Sequence, residues 1–190
     1  MAEVQILCEG YVREADAESR VASTVGFVRD GDALVVIDPG MVPGVASILD
    51  PLSLLGVAPG DVTDVVLSHH HPDHTVNAGL FPDARVHDHW ATYRGDLWID
   101  RPAEGFQVSP NVSLIETPGH TPQDVTTLVK TDDGLIAFTH LWWTSEGPAD
   151  DPLASDRDLL RAGRERVLGL ADVIVPGHGP KFVPSPETPR

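Results

Sequence analysis

Short valine-rich apolar runs, bounded by charged residues or glycine, recur along the whole chain. Runs of about four to eight such residues between turn signals predict β-strands. We predict strands at residues 4–7, 21–28, 34–37, 64–68, 84–87, 112–115, 125–129, 135–138 and 172–175. Because these segments extend from one end of the chain to the other, we expect sheet structure throughout the fold.

Three other segments have the apolar spacing of helices. Apolar residues recur three or four positions apart over residues 42–55, although Pro51 interrupts the last turn. Residues 72–80 begin with a proline, which the first turn of a helix tolerates. Residues 155–170 form the clearest amphipathic pattern. Strands interleaved with helices predict sheet layers flanked by helices.

Length and composition indicate one globular unit. A chain of 190 residues predicts a single domain over residues 1–190, with the proline-rich residues 183–190 as a loose tail. No apolar run approaches the roughly 20 residues of a membrane helix, so we expect no membrane partner. The absence of a basic leader and the single cysteine, Cys8, which excludes an intramolecular disulfide, fit a cytoplasmic location.

The net charge of −16 argues against a nucleic-acid partner. Binding to nucleic acid depends mostly on neutralising phosphates, and an acidic surface repels them. We therefore expect a small-molecule partner instead, while the sequence leaves homo-oligomerisation open.

Four histidines lie within six residues, in the pattern His-x-His-x-Asp-His directly after a predicted strand. On extended backbone, residues two apart point to the same side, so His69 and His71 can converge on one cation while His70 points away. Asp73 and His74 follow the turn and can face a second cation. The alternative, an adventitious surface cluster, is disfavoured by the other histidines of the chain.

Three more histidines lie where a predicted strand ends. His120 follows the strand at 112–115, His140 follows that at 135–138, and His178 follows that at 172–175. Loops at strand ends commonly build functional sites. Each histidine alone is more typical of a capping or hydrogen-bonding group. Together with the His-x-His-x-Asp-His pattern, they predict a metal centre.

These motifs resemble the metallo-beta-lactamase superfamily over nearly the whole chain. The run Ile37-Asp38-Pro39-Gly40 resembles its early strand-end motif, and two further stretches, residues 79–84 and 171–180, resemble its small single-domain branch. The resemblance implies an α+β fold, a four-layer αββα sandwich with the metal site at one edge of the two sheets. It also implies two ligand sets, which are His69, His71 and His120 for a first metal, and Asp73, His74 and His178 for a second.

One position departs from the family pattern. The family usually places a bridging aspartate where this chain has His140. A neutral imidazole offers one ring nitrogen to a metal, so it cannot bridge as a carboxylate does. His140 then either binds one metal or leaves the site, and the number of bound metals, one or two per chain, stays open.

Histidine and carboxylate ligands without thiolate suit zinc, iron or manganese, and zinc is the default for a hydrolase. Zinc lowers the pKa of its bound water towards about 7, so metal-bound hydroxide would be the nucleophile. Asp73 would be the catalytic residue that orients this water or accepts its proton. Asp38 is a candidate to support a ligating histidine.

The leading functional hypothesis is a metal-dependent hydrolase of a small ester, thioester, lactone, amide or phosphoester. One alternative is a mononuclear iron oxygenase on the same fold that acts on a thiol persulfide. Another is a non-enzymatic metal-binding protein. The sequence does not choose the substrate.

Overall fold

The computed structural model describes residues 1–15 and 18–190. Within them, the strands are β1 (Glu3–Cys8), β2 (Tyr11–Ala15), β3 (Glu18–Ala22), β4 (Val25–Asp30), β5 (Ala33–Ile37), β6 (Asp64–Val66), β7 (Arg85–His87), β8 (Ala91–Arg94), β9 (Leu97–Asp100), β10 (Gln107–Ser109), β11 (Val112–Glu116), β12 (Val125–Thr131), β13 (Gly134–Thr139) and β14 (Val173–Pro176). The helices are α1 (Ala46–Leu54), α2 (Pro72–Thr75) and α3 (Arg157–Leu168). Two 3₁₀ turns span Pro59–Asp61 and Ala78–Leu80.

The strands form two main sheets and a separate hairpin. The larger sheet has the order β1-β4-β5-β6-β7-β8-β9, and the smaller has the order β10-β11-β12-β13-β14. Strands β5, β6 and β7 run parallel, as do β13 and β14, while the other pairs are antiparallel. Among the residues described, strands β2 and β3 pair only with each other.

The two sheets pack face to face around a shared apolar core. Val35 and Val66 of the larger sheet belong to the same buried cluster as Leu114 and Val129 of the smaller sheet. A second cluster covers the outer face of the larger sheet with Ile48 and Leu52 of α1, and a third covers the smaller sheet with Leu160 and Val167 of α3. Helix, sheet, sheet and helix are therefore four successive layers. The expected αββα sandwich of the α+β class is confirmed.

The predicted strand at residues 21–28 is two strands. Between β3 and β4, the backbone N–H groups of Ser23 and Thr24 donate to the carbonyl oxygens of Met41 and Gly177, at 3.0 and 2.8 Å. Both groups are thus used by distant loops instead of a neighbouring strand, which ends one strand and starts the next. The Val-rich pattern does not reveal this because it continues through the break.

The predicted helix at residues 72–80 is shorter than expected. Helix α2 ends at Thr75, and a 3₁₀ turn follows at Ala78–Leu80. Asn77 lies between them, where its backbone N–H donates to Pro39 O at 2.9 Å and its side-chain amide donates to Gly40 O at 2.7 Å. These contacts take Asn77 out of the helical pattern and tie it to the 38–41 loop.

The C-terminal residues are bound to the body of the protein, in contrast to the loose tail that their composition predicts. Phe182 exchanges backbone hydrogen bonds with Ile174 of β14. Thr188 is buried, and the Trp142 indole N–H donates to Pro189 O at 2.8 Å. In the described part of the chain, no helix is long and apolar enough to span a membrane.

Arg164 of α3 fixes the loop between β13 and α3. Its side chain is buried, and its guanidinium donates to Leu141 O, Pro148 O and Ala149 O at 2.7–2.8 Å. A planar guanidinium can serve three carbonyl groups at once, which no apolar side chain can do. This loop carries residues that line the site described below, so Arg164 links the helix layer to the site.

We predict that Arg164→Met lowers the free energy of unfolding by at least about 3 kcal/mol, because three carbonyl oxygens lose a charged donor. Chemical denaturation of the metal-free protein measures the change. Arg161→Met is the matched control on the same helix. Its side chain is 62% exposed, so its effect should stay within about 0.5 kcal/mol. Equal losses in the two variants would contradict the role assigned to Arg164.

Candidate metal centre

Four strand ends converge at one edge of the two sheets and bring the predicted histidines together. The run from His69 to His74 follows β6 of the larger sheet. His120, His140 and His178 follow β11, β13 and β14 of the smaller sheet. Because the sheets pack face to face, loops from both reach the same place. The site is therefore built across the sandwich.

The first predicted set is compact. His69 Nε2 lies 3.0 Å from His71 Nδ1, which lies 3.1 Å from His120 Nε2. One nitrogen from each of the three rings lies within 4.8 Å of the others. His70 turns away, as its position on extended backbone predicts, and its Nε2 lies 3.0 Å from Asp88 Oδ2.

The second predicted set lies beside the first. Asp73 Oδ2 is 3.6 Å from His74 Nε2 and 3.5 Å from His178 Nε2. The Asp73 side chain is 22% exposed, whereas both imidazoles are buried. Asp73 is therefore the carboxylate through which this set reaches solvent.

His140 stays in the site. Its ring centroid lies 4.2 Å from that of His120 and 4.5 Å from that of His69, and its Nε2 is 3.0 Å from His178 Nε2. Gly177 makes room for it, since a Cβ on Gly177 would overlap His140 Cδ2. His140 therefore does not leave the site, and its ring faces both ligand sets, while the number of bound metals stays open.

Hydrogen bonds on the outer side of three rings decide where their protons lie. Nδ1 of His74 is 2.9 Å from Asp38 Oδ2, and Nδ1 of His120 is 2.7 Å from Asp151 Oδ2. Nδ1 of His178 is 2.9 Å from Ala22 O. Carboxylate and carbonyl oxygens only accept, so each Nδ1 donates and each Nε2 keeps its lone pair. These lone pairs point at the shared centre.

The inward lone pairs form a donor set that fits a cation. His74 Nε2 and His178 Nε2 lie 3.4 Å apart, although neither has a proton to donate. Burial, with the charge of His74 adding to it, lowers the pKa of His178 to about 4, and burial lowers the pKa of His69 and His140 well below the ordinary value. Protonation of His178 near neutral pH is therefore disfavoured. A metal bound to these nitrogens relieves the repulsion between their lone pairs, and the donor set fits one.

Asp38 orients both the loop and the ring of His74. Its Oδ1 accepts the Ser68 backbone N–H at 2.7 Å while its Oδ2 accepts from His74. Its φ of 49° lies in the left-handed region, which aspartate adopts more readily than most residues. The sequence predicts this supporting role from the strand-end motif.

Asp151 has the same role for His120, but no sequence motif indicates it. It also accepts the Trp143 indole N–H at 3.2 Å and the Leu153 backbone N–H at 2.8 Å. Burial raises the pKa of Asp151, but the hydrogen bonds from His120 and Leu153 outweigh it and leave the pKa lowered. Asp151 is therefore an anion that holds the His120 proton on Nδ1.

A cavity of about 250 Å³ opens above the metal-ligand candidates. Its floor consists of His71, Asp73, His120, His140 and His178. Its walls consist of Val12, Ser19, Val21, Trp143 and Leu153. The site is thus open to a small molecule, which can reach the ligand groups without any movement of the sheets.

Residues 19–181 match the sequence profile described as Metallo-beta-lactamase superfamily, which covers most of the chain, including every metal-ligand candidate. The chain belongs to the metallo-beta-lactamase superfamily. That family is one of metal-dependent hydrolases, and the resemblance of the strand-end motifs is thereby confirmed.

Curated relatives place this superfamily member in a particular branch. Metallo-beta-lactamase domain-containing protein 1 of Xenopus laevis is 33% identical over 187 residues, which are 94% of this chain and 80% of the relative. The human protein of the same name is 37% identical over 157 residues, which are 78% of this chain and 59% of the relative. The match to this branch confirms the expectation from residues 79–84 and 171–180.

Solved structures support the same superfamily fold. A metallo-beta-lactamase-like protein of Thermotoga maritima has a TM-score of 0.77 at 21% identity, over 96% of this chain and 99% of the other. A quorum-quenching N-acyl homoserine lactone lactonase has a TM-score of 0.67 at 18% identity, over 93% and 91%. A protein crystallised in a di-iron-bound form has a TM-score of 0.64 at 25% identity, over 85% and 89%.

We predict that Gly177→Ala displaces the His140 ring and lowers the free energy of unfolding by about 1–3 kcal/mol, the usual cost of overpacking. Gly179→Ala is the control in the same loop, because its Cβ would lie 3.5 Å from Thr144, an ordinary contact. Denaturation of the metal-free variants and a crystal structure of Gly177→Ala measure both effects. An undisturbed His140 in that structure would refute the steric argument.

Proposed function

We propose that this chain is a metal-dependent hydrolase of a small molecule with an ester, thioester, lactone, amide or phosphoester bond. The roles are those expected from the resemblance, with His69, His71 and His120 around one zinc ion and Asp73, His74 and His178 around a second. His140 faces both groups and completes the set. The observation that carries the proposal is the convergence of buried, unprotonated imidazole nitrogens on a cavity open to solvent.

Zinc at these positions supplies a Lewis acid that lowers the pKa of coordinated water towards about 7 and polarises the bond to be broken. The residues of the chain orient the ligand rings and the attacking water. Asp38 and Asp151 hold the rings of His74 and His120 through Nδ1. Asp73 lines the cavity and carries the carboxylate that orients water or accepts its proton.

A side-chain nucleophile is disfavoured. Cys8 packs against the core beneath α1, outside the cavity lining, and burial, together with the charge of Glu9, raises the pKa of its thiol. A thiol with a raised pKa is a poor nucleophile near neutral pH. Ser19 lines the cavity wall, but no hydrogen bond in the described residues joins its hydroxyl to a base. The attacking group is therefore water.

The decisive test compares His71→Ala with His70→Ala after reconstitution with zinc. His71→Ala removes a proposed ligand, so it should lower the zinc content per chain and reduce the metal-dependent hydrolysis of an ester, lactone and phosphoester panel by at least about 100-fold. His70 is the neighbour that turns away to Asp88, so its loss should leave both near the wild-type values. Equal loss in the two variants would contradict the proposed ligand set.

The same panel separates the alternatives. If the protein holds iron and consumes oxygen only when a thiol persulfide is present, the iron oxygenase is favoured over the hydrolase. Tight zinc binding without turnover of any substrate would favour a metal-binding protein. Histidine and carboxylate ligands accept zinc and iron, so metal analysis of the purified protein belongs in the experiment.

We predict that Asp151→Asn weakens zinc affinity by about 10–100-fold, the range found when the outer partner of a ligating histidine is lost. The Asp151 carboxylate accepts from His120 and Trp143 through Oδ2 and from Leu153 through Oδ1. In asparagine one of these oxygens becomes an NH₂ group, which would face donors and cannot accept from them. Competition with a zinc chelator measures the change. Asp88→Asn is the control, because buried Asp88 accepts from His70, Tyr93 and the backbone of residues 90 and 91, none of which is a proposed ligand, so the variant should keep wild-type affinity.

A further inference from the structure

The walls of the cavity differ from its floor in chemistry. The floor has imidazoles and the Asp73 carboxylate. The walls consist of four apolar residues and Ser19; the apolar residues are Val12, Val21, Trp143 and Leu153. Within the described lining, Ser19 is the one wall residue with a hydroxyl group, and it is uncharged.

The β2–β3 hairpin turns its apolar side to the cavity. Val12 lies opposite Val21 in the register, and Arg13 lies opposite Arg20. Side chains alternate between faces along a strand and opposite partners share a face. Since Val12 and Val21 line the cavity, Arg13 and Arg20 lie on the outer face, where the Arg13 guanidinium stacks 4.2 Å from the Tyr11 ring centroid.

No lysine or arginine belongs to the described lining of the cavity. A charged group on the part of a ligand that meets the walls would lose its hydration there and find no counter-charge, which is costly. An apolar group would instead gain about 25 cal/mol for each Å² removed from water. The net charge of −16 adds repulsion against anionic groups.

We infer that the substrate is a neutral carbonyl compound, an ester, thioester or lactone, whose non-reacting part is a short apolar group held by the β2–β3 hairpin and the Trp143–Leu153 wall. The reacting bond lies over the histidine floor and the apolar part lies against the walls. The volume of about 250 Å³ lies just below the roughly 300–1,000 Å³ of drug-sized pockets, so the apolar part is small. This inference rests on the proposed function and narrows its substrate class.

The test uses two esters that differ only at the far end of the acyl chain, p-nitrophenyl pentanoate and p-nitrophenyl hydrogen glutarate. The zinc-loaded protein should have a kcat/KM at least about tenfold higher for the pentanoate, as expected when a contact group fits the pocket. Equal values, or a preference for the glutarate, with both reactions dependent on zinc, would overturn the inference and leave the hydrolase intact.

Variants assign the preference to the walls. Val21→Lys and Leu153→Lys should each reduce the ratio of the two kcat/KM values by at least about tenfold. Leu153 is 62% exposed, so its replacement keeps the fold even where Val21→Lys does not. Glu18→Gln changes the net charge by the same +1, by removing a negative charge from the outer face of β3, and should leave the ratio unchanged. An equal effect of Glu18→Gln would assign the preference to net charge and contradict the inference.

Binding without turnover separates this inference from the proposed function. Calorimetry of the zinc-loaded protein with N-methylpentanamide and N-methylglutaramate, both checked to stay intact during the titration, should give tighter binding of the pentanamide. That result supports the apolar wall even where neither ester is hydrolysed, an outcome that would count against the hydrolase alone. Tighter binding of the glutaramate would overturn the inference whatever the hydrolysis data.

Discussion

The direction of the imidazole lone pairs is the constraint on which the site depends. Asp38, Asp151 and the Ala22 carbonyl each take the outer proton of a ring, which leaves the inner nitrogens of His74, His120 and His178 without one. Burial lowers the pKa of His178, because a protonated imidazole would have to give up its hydration. The fold therefore holds together a set of nitrogens that repel one another, and a bound cation turns that repulsion into attraction.

Such a cluster needs loops that stay fixed relative to one another. The residues between β3 and β4 help to fix them through backbone hydrogen bonds. Ser23 and Thr24 connect the first sheet to the loops around Met41 and Gly177. Gly40 brings the 38–41 loop against the backbone of Asp73, where any Cβ would overlap the Asp73 carbonyl. The residues that interrupt the strand pattern are thus the residues that fix the site.

The sequence predicts the parts of this arrangement that depend on local rules. The alternation along a strand separates His69 and His71 from His70, and the strand ends give the positions of His120 and His178. It cannot predict Asp151, because its contact with His120 depends on the path of a long loop that Arg164 fixes from a helix of another layer. Nor does the sequence reveal that the Ala22 carbonyl accepts from His178, since every residue has a backbone carbonyl. The shortened helix at 72–80 has the same origin, a tertiary contact that overrides the local pattern.

His140 changes how charge is distributed in this site. A carboxylate at its position would place a negative charge between the two ligand sets, whereas the imidazole places none there. The negative charge that balances a bound cation then comes from Asp73 at the cavity and from Asp38 and Asp151 behind the rings. Asp38 and Asp151 consequently supply a larger share of the negative charge around a bound cation than they would beside a bridging aspartate. Gly177 leaves the space that the imidazole occupies, so the position of His140 depends on this glycine.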